Sequence, residues 1–127
     1  MIYLTAPELI YIASRVIDGD VTVRDHGLLD SATARPQATV FGTHAYETVE
    51  EKAASLLHSL ARNRALIDGN KRLALAATIA FLGLDGLRLT MSNDQAYELV
   101  IDVATGNVDE VAGIADRIRR GSEPRHR

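Results

Sequence analysis

The 127-residue sequence has no cysteine, no tryptophan, three prolines and two phenylalanines. Without cysteine it can build no disulfide framework, thiolate nucleophile or cysteine-based metal site, which fits a reducing compartment. A long apolar run is also missing. The longest, Leu73 to Leu84, is too short to span a bilayer and reads as a core helix buried nearly all round, so no membrane association is expected. Met1-Ile2-Tyr3-Leu4 lacks a basic start, and Pro7 and Glu8 interrupt any apolar leader. No secretory signal is recognisable, and the expected location is cytoplasmic. Nor is there an excess of positive charge. Five arginines and one glutamate fall between Arg117 and Arg127, which leaves nine Lys or Arg against sixteen Asp or Glu in the body. An acidic body argues against direct nucleic-acid binding. The terminal arginines read as a helix C-terminus followed by a solvated end.

What the sequence does have is helical periodicity with clear start signals. Thr5-Ala6-Pro7-Glu8 is a capping box with Pro in the first turn; Leu9, Ile10, Ile12, Ala13 and Val16 follow at helical spacing, giving a helix over about 6–18. Asp18-Gly19-Asp20 ends it. Val21-Thr22-Val23 is expected to form a short strand against Ile2 to Leu4. A short helix over Leu28 to Ala34 stops before Pro36, and 36–48 is irregular. Thr48 opens the next helix, which ends near Asn63. Ser92 and Gln95 form another capping box, Gly106 is placed to end that helix, and Asp109 is expected to cap the last one. No repeat or internal linker breaks the pattern. The expectation is one compact all-α domain over 1–120, with 121–127 as a basic, disordered tail.

Between two of these helices lies Asn63-Arg64-Ala65-Leu66-Ile67-Asp68-Gly69-Asn70-Lys71-Arg72, a polar, glycine-bearing turn at the mouth of the apolar helix. Free backbone N–H groups at a helix start carry the positive end of its dipole and favour anions. Gly69 allows close backbone approach, and Asn70 can donate an amide N–H. Lys71 and Arg72 supply cationic donors for phosphate oxygens, and Asp68 is a hard oxygen ligand suited to Mg²⁺ held with nucleotide phosphates. A plainer reading competes: Asp68 or Asn70 serves only as the N-cap, and Lys71 and Arg72 are solvated. Two cations in a helix's first turn oppose the dipole unless something negative sits there, which favours the phosphate reading.

The stretch resembles the Fic/Doc superfamily, whose signature runs His-x-Phe-x-Asp/Glu-Gly-Asn-Gly-Arg-x-x-Arg. The closest likeness is to its death-on-curing (Doc) branch, which reads Asp-Ala/Gly-Asn-Lys-Arg, as does Asp68 to Arg72. Ala34-Arg35-Pro36-Gln37, Gly42, Tyr46, Glu51-Lys52-Ala53-Ala54 and Phe81-Leu82 follow the family pattern in the same order. The resemblance implies a compact helical bundle with the motif between two central helices, a target-docking flap within 36–48, and ATP with Mg²⁺. It also implies a toxin of a toxin–antitoxin pair that transfers the γ-phosphoryl group to a threonine of elongation factor Tu, and a Phd-like antitoxin as partner. By position, Asp68 would hold the metal, and Gly69, Asn70, Lys71 and Arg72 would form the phosphate cradle.

Three residues depart from the pattern. Leu66 replaces the Phe. Leu75 stands where nucleotidyl-transferring (AMPylating) members carry a second Arg, which favours the kinase branch. Arg64 occupies the place of the His that acts as general base; it stays protonated and offers no acceptor. Loss of a general base costs ~10²–10⁴-fold in rate, so the chain is expected to be inactive or impaired. Nucleotidyl transfer to a protein hydroxyl, or a non-catalytic antitoxin-binding role, are the alternatives. His58 is expected to point to another face, and nothing in the sequence brings His26 or His44 to the motif.

Overall fold

Thr5 starts α1 (Ala6–Val16) as anticipated: its hydroxyl accepts the Glu8 N–H while the Glu8 carboxylate accepts the Thr5 N–H. This computed structural model describes residues 1–126. Asp25 caps α2 (His26–Ala34), which runs into a 3₁₀ turn at Arg35–Gln37. The irregular segment that follows contains a small hairpin, β1 (Thr39–Val40) with β2 (Thr43–His44), in antiparallel register. Phe41 at its tip is fully exposed, with φ of 52°. Thr48 caps α3 (Val49–Asn63), and α4 (Asn70–Leu84) follows the polar turn. β3 (Leu87–Leu89), α5 (Asn93–Thr105), α6 (Val111–Arg120) and β4 (Ser122–Pro124) complete the chain.

α3 is the centre of the bundle and packs on α2, α4, α5 and α6. Its buried Leu56, Leu57 and Leu60 meet Leu73, Ala77 and Phe81 of α4, Val100 and Val103 of α5, and Ile114 and Ile118 of α6 in one core. Fully burying each large side chain stabilises by about 1.5–3 kcal/mol. α4 is more one-sided than expected. Leu73, Ala74, Ala77, Thr78, Phe81 and Leu82 are buried, but Ile79 and Leu84 are exposed, because α4 packs on α1, α3 and α5 and leaves one face to solvent.

Other departures have non-local causes. α1 stops at Val16, short of the expected end near residue 18. Val21 to Val23 does not pair with Ile2 to Leu4. Instead Val23 bridges Leu66 antiparallel, and the Ile2 N–H goes to the Asp85 carboxylate at 2.7 Å. Glu110, not Asp109, is the N-cap of α6, and its side chain makes no cap bond. The segment read as a disordered tail is ordered through β4, which pairs antiparallel with β3 and brings Glu123 into an ion pair with Arg88. Backbone pairing of this kind leaves no mark in composition; Arg127 lies outside the described residues. The arginines of α6 are largely neutralised, Arg117 by Asp102 at 2.8 Å and Arg120 by Asp116 at 3.0 Å. Among the described residues no helix is long and apolar enough to cross a membrane.

Candidate functional site

The polar turn is held by main chain on both sides. α3 ends where Arg64 adopts the left-handed conformation, φ 54° and ψ 55°, uncommon for a residue with a side chain. Arg24 secures this end: its Nε donates to the Arg64 carbonyl at 2.8 Å and its Nη2 to the Asn63 carbonyl at 2.9 Å. The N–H groups of Arg24 and Asp25 both reach the Ala65 carbonyl, and the Ile67 N–H reaches the Thr22 carbonyl. The segment 22–25 therefore lies alongside 65–67 like a strand and fixes where the next residues start.

Asn70 fastens the other side. Its Oδ1 accepts the Leu66 N–H and its Nδ2 donates to the Leu66 carbonyl, both at 2.9 Å. The side chain expected to donate to a ligand thus braces the loop, with one amide hydrogen left over. The N-cap of α4 is Gly69 rather than Asp68 or Asn70. Its φ is 87°, and no side chain caps the helix. A Cβ on Gly69 would fall 2.3 Å from Ile17 Cδ1, so glycine is required both by conformation and by the closeness of the end of α1. The first-turn amides of α4 are left for an outside acceptor.

These elements enclose a cleft of about 510 Å³. Asp68, Gly69, Asn70, Lys71 and Arg72 form its floor, with Arg64 beside them. The predicted site residues are therefore brought together. The rest of the lining comes from places the sequence did not single out: Ile17 and Asp18 after α1, Arg62 on α3, and Tyr97, Ala104 and Thr105 on α5. Only Asp18-Gly19-Asp20 carried a local hint, two acids around a glycine, which reads equally as a helix stop. Lys71, Arg72 and Arg64 make no ion pair among the described residues, so three uncompensated cations line the cleft at the uncapped helix start. The Asp68 carboxylate accepts the Gly69 N–H at 3.1 Å and is otherwise open to the cleft.

His58 is not part of this cleft. Its Nδ1 sits 2.8 Å from Arg35 Nη1, and its Nε2 lies 3.0 Å from Asp109 Oδ1. Since arginine only donates, Nδ1 accepts and Nε2 carries the hydrogen given to Asp109. That hydrogen bond, with Arg62 at 3.3 Å, holds the Asp109 carboxyl below the usual carboxylate range. His26 and His44 are exposed on α2 and β2 and do not line the cleft.

For a metal, the donor set is lean. No group of three or more His, Cys, Asp or Glu is assembled for an ion among the described residues. Asp68 in the loop, with Asp18 the other carboxylate on the lining, is a set that would suit Mg²⁺ only if the ion took its other ligands from phosphate oxygens and water.

Comparison with known proteins agrees with this geometry. A sequence model of the Fic/DOC family matches residues 3–82. The chain is 46% identical to "Toxin Doc" of Mycolicibacterium smegmatis, over 94% of this chain and 98% of that one. It is 34% identical to "Protein kinase doc" of Escherichia phage P1, over 76% of this chain and 74% of the relative. Motif, helical architecture and relatives converge: the chain belongs to the Fic/DOC family.

Proposed function

We propose that the chain is the toxin of a toxin–antitoxin pair and a protein kinase that transfers the γ-phosphoryl group of ATP to a threonine of elongation factor Tu, blocking translation in the cytoplasm. The observation that carries this reading is the uncapped start of α4, where Gly69, Lys71 and Arg72 surround free amides in a cleft of about 510 Å³. The likeness to a protein named as a toxin and to one named as a protein kinase supports it. The helix amides with Lys71 and Arg72 bind the polyphosphate, and the Gly69 backbone allows it close. Asp68 would hold Mg²⁺, which when bound offsets phosphate charge. The Asn70 brace keeps the loop in shape before ligand arrives, so little ordering is needed on binding. A Phd-like antitoxin is the proposed partner. The β1–β2 hairpin, with Phe41 at its tip, lies within 36–48, the segment in which the family resemblance places the target-docking flap.

Arg64 qualifies the rate. It stands where the family pattern has its base and has no lone pair to receive a proton, so the chain is impaired relative to a histidine variant. The same residue favours the second reading, a non-catalytic antitoxin-binding partner. Arg64→His separates the two in a host protected by the cognate antitoxin. On antitoxin withdrawal it should stop growth, and in vitro it should label elongation factor Tu with one phosphate, ~10²–10⁴-fold faster than the native chain. A mass gain of one nucleoside monophosphate would assign nucleotidyl transfer instead. A folded variant that neither slows growth nor labels the factor overturns the transferase reading.

A further inference from the structure

We infer that Asp18 is the proton acceptor of this chain, taking from the attacking hydroxyl the proton that Arg64 cannot receive. The inference rests on the phosphoryl-transfer reading above. It begins from which groups on the cleft wall have a lone pair to offer. None of the four histidines is there, and both ring nitrogens of His58 are engaged elsewhere. The hydroxyls of Tyr97 and Thr105 are neutral and poor acceptors, and that of Thr105 donates to the Ile101 carbonyl. Two carboxylates remain, Asp68 and Asp18. Asp68 lies within the phosphate loop and accepts the Gly69 amide; in the proposed complex it would be the residue that holds Mg²⁺.

Asp18 is free for the task. It is exposed and makes neither a hydrogen bond nor an ion pair among the described residues. Its place is set by Ile17, whose side chain presses on the glycine of the phosphate loop so closely that a Cβ there would lie 2.3 Å away. Asp18 follows directly in the chain and lines the same cleft as Lys71 and Arg72. A carboxylate is sufficient for this chemistry. Phosphoryl transfer passes through a loose transition state, and protein kinases use an Asp to accept the hydroxyl proton. The hydroxyl oxygen bonds to the γ-phosphorus, and the bond from that phosphorus to the β–γ bridging oxygen breaks. Its electron pair leaves with ADP, and the proton passes to Asp18 and on to water.

The test compares the native chain, Asp18→Asn and Asp20→Asn, a neighbouring acid off the cleft wall, each with and without Arg64→His. Phosphate transfer to elongation factor Tu and ATP–Mg²⁺ affinity by calorimetry are both read. Asp18→Asn should slow the native chain ~10–100-fold, and the Arg64→His chain by a smaller factor, because an imidazole base then shares the work. Asp20→Asn should match its parent. Nucleotide affinity should stay within about twofold, as expected of a group that acts on the hydroxyl. The inference is overturned if Asp18→Asn transfers as fast as the native chain, or if it loses ATP–Mg²⁺ affinity in proportion to rate. It is also overturned if only Arg64→His chains transfer, an outcome that leaves the kinase reading standing. If no chain transfers, the kinase reading itself falls.

Discussion

Two helix starts in this molecule solve the same problem in opposite ways. At α5, Ser92 accepts the Gln95 N–H at 3.1 Å and the Gln95 side chain accepts the Ser92 N–H at 2.9 Å, with Asp94 beside them. That end carries its own side-chain cap, which satisfies the Gln95 amide, and its charge suits the dipole. At α4, Gly69 offers no side chain, and the two residues after Asn70 are cations that the dipole repels. Such a start is unfavourable alone and well suited to an anion. The difference between the two is what marks the α4 end as a place for a ligand rather than a joint in the scaffold.

The largest effect should come from removing what holds the α4 end open. Asn70→Ala deletes two hydrogen bonds and strands the buried Leu66 N–H, about 2–3 kcal/mol in all. Thermal unfolding should show Tm lower by roughly 10 °C. A drop of only a degree or two would mean that 22–25 alone holds the turn. Next is a pair of substitutions with opposite signs. Ser92→Ala should cost about 1 kcal/mol and leave nucleotide binding as it was. Lys71→Gln should raise ligand-free stability by about 0.3–1 kcal/mol by removing a charge opposed to the dipole, while weakening ATP–Mg²⁺ binding. If Lys71→Gln destabilised the ligand-free protein, the contrast between the two starts would fail.

The smallest effect lies at the far end of α5. The Arg117 hydrogen bond, with that of Asn107, lowers the Asp102 carboxyl from its ordinary 3.8. A carboxylate depressed in the fold stabilises above its unfolded value, and that contribution fades as pH falls through the folded one. Asp102→Asn should therefore flatten the acid limb of the stability curve below about pH 4, as read by denaturant midpoints. An unchanged limb would mean that the pair contributes nothing.

The same contrast shows what could be read from the chain alone. The caps at Thr5, Thr48 and Ser92 and the C-cap at Gly106 are chemistry within a few residues, and all were legible. So was the Asp68 to Arg72 motif, because contiguous residues carry it. What escaped depends on partners far away in sequence. Asp109 looked like a cap, but His58, 51 residues earlier, takes its carboxylate. Asn70 looked like a ligand donor, but its geometry is committed to the Leu66 main chain. Val23 chose Leu66 over the N-terminus, and Ser122 to Pro124 found an edge at β3. Asp18-Gly19-Asp20 read as a helix stop; it is the packing of Ile17 on Gly69 that brings Asp18 to the cleft lining.

The claim beneath all of this is that the start of α4 is a polyphosphate site. The most direct measurement is calorimetric titration of ATP–Mg²⁺ into the native chain and into Asp68→Ala. The account predicts saturable binding to the native chain that weakens at least about tenfold in the variant, the loss expected when a metal ligand is removed. No binding to the folded native chain, or equal binding to both, would contradict it.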